Sequence, residues 1–337
     1  MKKHETLINS VELYQEDCRD ILDILPENSV HCIITSPPYW GLRDYGVVEQ
    51  IGLETTIEEY ISEIVLVFRK ARRVLREDGT CWINLGDVYN SQNGFHRGEK
   101  YMDGGKPRTT EYPDRTGSGL KTKDLCGIPW RIALSLQKDG WWLRQDIIWY
   151  KPNPLPESVT DRCTKAHEYI FMLSKSEKYY FNSEAIKEKA TNRKSGNKTH
   201  KGVTEYESSD TEEHRTKGGL LNIAATELRN KRSVWTIASE PFSGAHFAVF
   251  PTKLVEPCIL AGCRKGGTVL DPFAGSGTVG LVSHQLGRKS ILIEINCEYI
   301  EIIKNRLNDG LNSFEEKEYI EFEKDRRASV RDKIMEI

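Results

Sequence analysis

The sequence contains no run approaching the roughly 18 consecutive apolar residues that a membrane-spanning helix needs, and its opening decapeptide, MKKHETLINS, lacks the apolar core of a secretion signal. Neither spanning nor export is supported, and the cytoplasm is the expected location. A charge excess is missing as well: 48 Lys and Arg face 50 Asp and Glu, a formal net charge of -2. No global basic field advertises a nucleic-acid partner, although a local footprint would be lost in such a total. The eight cysteines (18, 32, 81, 126, 163, 258, 263 and 297) include no C-x-x-C pair. Cys258 and Cys263 have no His or Cys pair near them to complete a zinc set, so reduced, mostly buried thiols are expected and no metal is. Two phosphate-binding patterns are also absent. Without G-x-G-x-x-G a nicotinamide oxidoreductase is disfavoured, and without Gly-Lys-Ser/Thr so is a P-loop nucleotidase.

What is present is an alternation. VELY (11–14), SVHCIIT (29–35), GTCWINLG (79–86), WLRQDIIWYKP (142–152), HEYIFMLSK (167–175), TVLD (268–271) and KSILIEIN (289–296) read as strands. Residues 56–75 place apolar side chains at helical spacing with charges between them; 128–140, 278–287 and 297–307 also read as helices. Strands alternating with long helices predict an α/β fold with a mainly parallel sheet. Two polar segments interrupt it. Residues 87–125 are rich in glycine, and 187–232 carry eleven Lys and Arg against seven Asp and Glu, a local +4. Either these are solvated surface loops, or one of them touches an anionic polymer and is mobile without it. The tail from Gly310 is dense in charge and carries no functional signal.

The stretch VLDPFAGSGT ends a strand and starts a helix. Gly275 and Gly277 allow a tight turn and close approach of a ligand. Asp271 stands at the carboxyl end of its strand, the ligand edge of an open α/β sheet, and Glu294 ends the next strand, where an acid can bind a ribose diol. A carboxylate beside a diphosphate is poor electrostatics, whereas beside a cationic amine it is favourable. The loop therefore favours a nucleoside with a positively charged amino-acid end, S-adenosyl-L-methionine.

Near the other end of the chain, HCIITSPPYW runs a strand into two prolines. Pro37 and Pro38 lack amide donors and leave a stiff edge of carbonyls. Ser36 adds a hydroxyl acceptor, Tyr39 offers a flat face, and Trp40 packs behind or beside it. Acceptors with a stacking face describe a pocket for a ring that bears an exocyclic amine. A base paired in a duplex reaches such a pocket only by being flipped out.

Together, TSPPY and DPFAGSGT resemble the amino-methyltransferases of DNA, which methylate exocyclic nitrogens of adenine or cytosine. Catalytic motif first and cofactor motif last is similar to the permuted beta arrangement of that family, and the likeness covers roughly 11–182 and 233–308. It implies a Rossmann-like, mixed but mostly parallel seven-stranded sheet, circularly permuted, with inserted recognition segments. It divides the chain into a catalytic half (1–182, with a mobile insertion at 87–125), a target-recognition segment (183–235), a cofactor half (236–310) and a charged tail (311–337). By likeness, Thr35, Asp271, Pro272, Phe273, Ala274, Gly275, Ser276 and Gly277 cradle the cofactor, Glu294 takes its ribose and Asp17 lies near its adenine. HFAVFPTKLVEPCI (246–259) resembles the element beside the methionine end; Lys253 is its notable polar residue, or else an ordinary surface lysine. Ser36, Pro37, Pro38 and Tyr39 form the target pocket. Candidate DNA contacts are Trp40, Arg43, Lys151, Arg162, Arg193, Lys194, Lys198 and Lys201, with solvated cations as the alternative. His167 and Glu168 read as a structural hydrogen-bonded pair rather than a catalytic one.

The implied reaction is direct methyl transfer to an amine in double-stranded DNA, with no covalent intermediate, since no cysteine has the Pro-Cys setting that carbon-5 methylation requires. Ser before Pro-Pro-Tyr goes mostly with cytosine N4 in that family; adenine N6 is the alternative, followed by a DNA-binding protein without activity. A restriction endonuclease and a second copy of the chain are the further partners the resemblance suggests.

Overall fold

The computed structural model describes residues 3–8, 10–42, 46–47, 50–90, 102–103, 106–107, 119–190, 228–240 and 250–310. Nine strands form one sheet: β1 (Lys3–Ile8), β2 (Val11–Gln15), β3 (Val30–Thr35), β4 (Leu75–Leu85), β5 (Trp142–Tyr150), β6 (His167–Ser174), β7 (Val234–Thr236), β8 (Thr268–Asp271) and β9 (Lys289–Glu294), in the order β1-β2-β9-β8-β3-β4-β6-β5-β7. The run from β2 through β9, β8 and β3 to β4 is parallel throughout. Antiparallel β6 pairs with both β4 and β5, β7 joins β5 in parallel, and β1 folds back on β2 as a hairpin. The expected parallel sheet is thus present, and it is wider than seven strands because β1 and β7 extend its two edges. Both are short or polar: β1 reads KHETLI and its described side chains are largely exposed, which leaves little apolar signal in the sequence.

Helices α1 (Cys18–Ile24), α2 (Ile57–Val74), α3 (Ile128–Lys138), α4 (Thr252–Gly262), α5 (Thr278–Gln285) and α6 (297–310) complete the described core. A capping box opens α2, with the Thr56 hydroxyl accepting from Glu59 N at 3.2 Å and the Glu59 carboxylate accepting from Thr56 N at 3.0 Å. One stripe of α2, Ile57, Tyr60, Ile64, Val67, Phe68, Ala71 and Val74, is buried, and α1 and α3 pack against this helix. The core also takes in Val30 and Ile33 of β3 and Cys81, Ile83 and Leu85 of β4.

The chain separates into two compact units, one made of 1–181 with 233–337 and the other of 182–232. All nine strands of the sheet belong to the first. In the second, Glu188 accepts from Arg229 at 2.8 Å and Arg232 at 2.7 Å, beside a two-residue ladder of Glu188–Lys189 with Leu228–Arg229. Most of the insertion at 87–125, the central part of 183–235 and the tail 311–337 lie outside the described residues. Six cysteines are buried and Cys163 and Cys297 are exposed. No described helix is long and apolar enough to cross a membrane, and the described residues contain no cluster suited to a metal ion.

Candidate active site

Parallel pairing of β3 with β8 carries their carboxyl ends to one edge of the sheet, although 236 residues separate Thr35 from Asp271. There the Thr35 hydroxyl donates to Asp271 Oδ1 at 2.6 Å, and Phe273 N donates to the same oxygen at 3.1 Å. Both hydrogen bonds fall on Oδ1. Asp271 is 3 % exposed, and burial raises its carboxyl to about 7 against the pull of these two donors.

The next strand supplies a second perturbed acid. Glu294 closes β9, where Oε2 accepts from Gly275 N at 2.8 Å and Oε1 from Asn296 N at 2.9 Å. Burial, with a smaller contribution from nearby Asp271, raises it to about 7 as well. Between the acids, the turn runs through Gly275 at φ +52° and Gly277 at φ +76°. Gly277 caps α5, and a Cβ there would lie 3.1 Å from Ile303 of α6; a Cβ on Gly275 would meet nothing within 4 Å, so its outer face is open. From behind the loop, Arg306 donates to Ser276 Oγ at 2.7 Å and Thr278 Oγ1 at 2.8 Å. Phe273 packs partly against the core and Ala274 is buried. Asp17 serves α1: it is the N-cap, accepting from Arg19 N at 2.7 Å, and the Arg19 guanidinium grips its carboxylate at 2.6 Å. Lys253 sits exposed in the first turn of α4; of the 246–259 stretch, 246–249 lies outside the described residues. Glu240, unremarkable in the sequence, accepts from the Thr252 hydroxyl at 3.3 Å at the start of that helix.

The Ser-Pro-Pro-Tyr segment leaves β3 directly after Thr35 and is clamped by neighbours. Tyr60 of α2 donates to the Pro38 carbonyl at 2.7 Å, and Gly41 N donates to Gly52 O at 2.7 Å. Trp40 is 1 % exposed and donates its indole N–H to Glu54 O at 2.8 Å. It forms the floor of the loop, so its earlier placement among DNA contacts is corrected: a buried, hydrogen-bonded indole anchors the segment from below. The Tyr39 ring lies against Gly86, where a Cβ would come within 2.5 Å of the ring. Its hydroxyl donates to Glu168 Oε2 at 2.8 Å and stands 3.4 Å from Asn84 Oδ1. Burial, reinforced by Glu168, holds this phenol well above its ordinary range.

Glu168 is therefore tied to Tyr39, to Asn84 Nδ2 at 3.0 Å and to Lys151 Nζ, while the His167 ring packs edge-on against Tyr169. Sequence reasoning missed Asn84, Gly86 and Lys151 as partners of the pocket; their one signal is that they stand at strand ends. Lys151 also lies 4.2 Å from the centre of the Trp149 ring, and Arg162 pairs with Glu157 at 2.8 Å and lies over Tyr89. Both cations have protein partners in this conformation. Arg43, Arg193, Lys194, Lys198 and Lys201 lie outside the described residues. Asp87 caps α3 by accepting from Gly127 N and Ile128 N, both at 3.1 Å.

A DNA methylase family model matches residues 30–305, which spans both halves of this site. The chain belongs to that family. It is 48 % identical over 301 residues to the Type II methyltransferase M.Cfr9I of Citrobacter freundii, covering 89 % of this chain and 88 % of the relative. It is 45 % identical over 303 residues to the Type II methyltransferase M.SmaI of Serratia marcescens, covering 90 % and 92 %. Two solved structures share the fold. The PvuII DNA methyltransferase (cytosine-N4-specific) superposes with a TM-score of 0.58 at 19 % identity, over 91 % of this chain and 93 % of that one. A Thermus thermophilus protein assigned as a DNA modification methylase, solved with S-adenosyl-L-methionine, gives 0.55 at 23 %, over 90 % and 94 %.

Proposed function

We propose that this chain is a site-specific DNA methyltransferase that moves a methyl group from S-adenosyl-L-methionine to the exocyclic N4 of cytosine in double-stranded DNA. The observation that carries this is the Thr35–Asp271 hydrogen bond. It joins the amine pocket and the cofactor loop at one sheet edge, which direct transfer between the two demands.

The residues suit this cofactor. Both donors to Asp271 use Oδ1, so Oδ2 is left for a cationic amine, and the raised carboxyl lacks a positive partner that such a ligand would bring. Each Glu294 oxygen accepts one backbone amide and keeps lone-pair capacity for a ribose hydroxyl. When bound, the cofactor supplies an electrophilic methyl on a sulfonium. Ser36 Oγ and the Pro37 carbonyl accept the amine N–H groups and draw the nitrogen towards tetrahedral geometry, so that its lone pair faces the methyl. Tyr39 fixes the plane of a base flipped from the helix. Ser36, in place of a carboxylate, supports cytosine over adenine. The relatives' Type II designation supports a restriction-modification setting and a cognate endonuclease as partner.

The test is nucleoside mass spectrometry of duplex DNA incubated with the protein and labelled cofactor. N4-methylcytosine is expected. N6-methyladenine would keep the mechanism and change the base; absence of any methylated nucleoside across varied sequences would overturn the proposal.

A further inference from the structure

A flat side chain orients a base only where its own position is fixed, and Tyr39 is held along its whole length. Its carbonyl accepts from Leu42 N at 3.2 Å in the turn that follows the prolines. Gly86, just beyond β4, lies along the Cδ2–Cε2 flank of the ring, where a Cβ would come within 2.5 Å of Cε2. The hydroxyl donates to Glu168 Oε2 at 2.8 Å. A phenol oxygen lies on the axis about which its ring turns. The bond to Glu168 therefore sets where that axis points, and Gly86 limits rotation about it.

Glu168 is itself gripped on both carboxylate oxygens. Asn84 Nδ2 donates to Oε2 at 3.0 Å and to the Tyr169 carbonyl at 3.2 Å, and Asn84 is 3 % exposed. Lys151 Nζ pairs with Oε1. Strand register makes this convergence possible: Trp149 of β5 stands opposite Glu168 of β6, and Asn84 of β4 opposite Ile170. Just beyond β5, Lys151 N donates to Ala166 O at 2.8 Å. The ends of β4, β5 and β6 thus meet at one phenol oxygen. The Lys151 ammonium compensates a carboxylate whose side chain is only 17 % exposed. A charged acceptor at 2.8 Å makes the stronger kind of hydrogen bond, whereas Asn84 Oδ1, at 3.4 Å, is too far to take its place.

We propose that Glu168, held by Asn84 and Lys151, is the positioning residue that aims the Tyr39 ring at the flipped base. Glu168 acts through Tyr39: with the ring axis fixed, the plane of the stacked base is fixed, and the amine lone pair stays aligned with the methyl group. The proposal rests on the amine-methylation reading above.

The experiment measures single-turnover methyl transfer over a range of DNA concentrations, on a duplex that the parent protein methylates. Parent, Glu168→Ala, Tyr39→Phe and the double variant are compared. Ala removes the acceptor and Phe removes the hydroxyl, so each deletes the same bond. Each single variant should lose at least tenfold in the rate at saturating DNA, the scale on which small misplacements act. The half-saturating DNA concentration and the cofactor affinity should stay within threefold of the parent. The double variant should lose no more than the less active single variant, whereas a residue that only braced the fold would give multiplicative losses. Glu168→Ala leaves the Lys151 ammonium without its carboxylate, and adding Lys151→Met should recover melting temperature without recovering rate. A loss below tenfold in either single variant, a loss carried by DNA or cofactor affinity, multiplicative losses, or a rate that recovers with melting temperature would each overturn the proposal. If Glu168→Ala fails to fold, its combination with Lys151→Met supplies the same comparison with Tyr39→Phe. A parent that methylates no DNA overturns the function itself, whereas an active parent with unaffected variants overturns only the anchor.

Discussion

At the scale of single residues, the site keeps two acids at a protonation balance that a cation would tip. Asp271 sits at about 7 in the folded protein against 3.8 when solvated, so folding takes up a proton between those values. Stability conferred by the protonated form is complete below about pH 4 and is lost as pH rises through 7. Asp271→Asn should therefore raise the melting temperature of the ligand-free protein at pH 8. The gain is a few kcal/mol at most, on a scale of roughly 1.4 kcal/mol per pKa unit, and should fade towards pH 4. The same substitution should weaken S-adenosylmethionine binding at least tenfold by calorimetry, and parent affinity should fall as pH drops through about 7, where the carboxylate is neutralised. A higher affinity in the variant would contradict the cationic-ligand reading. Gly86→Ala is the matching change in the pocket: its Cβ would collide with a Tyr39 ring whose hydroxyl is anchored. Methyl transfer should fall at least tenfold with cofactor binding intact. Asp271, Gly275, Gly277, Ser36 and Tyr39 stand out in the sequence because each lies in a contiguous motif. Asn84 does not stand out, and Lys151 and Glu168 stand out there only as a candidate DNA contact and a partner of His167, because what they touch lies across strands β4, β5 and β6.

At the scale of elements, α2 does more than fill the core. Its apolar stripe reads directly from 3.6-residue spacing, and the capping box from Thr-x-x-Glu. The same helix sends Tyr60 through to the Pro38 carbonyl, so the pocket's proline edge is fixed by a core element. Tyr60→Phe should cost about 1 kcal/mol of stability, the usual net worth of such a bond, and should slow methyl transfer without changing cofactor affinity. Chemical denaturation and single-turnover rates measure the two effects. An unchanged rate would detach α2 from the pocket. The edge strands show the opposite case. β1 and β7 are too polar or too short to stand out, and they exist because a neighbouring strand leaves its backbone groups open for pairing.

At the scale of the whole molecule, the sheet belongs to one unit assembled from residues on both sides of 182–232. Removal of residues 190–225 should accordingly leave cofactor affinity within severalfold of the parent and abolish sequence preference, scored by sequencing methylated sites in random DNA. Retained preference would move recognition elsewhere. The sequence by itself determined the α/β alternation, the two motifs and the chemistry each suits, because those properties reside in neighbouring residues and their period along the chain. Tertiary structure alone decided that Thr35 meets Asp271 and that Tyr39 ends on a Glu168–Lys151 pair. Strand order within a sheet is set by packing and pairing between distant segments, and no local pattern encodes it.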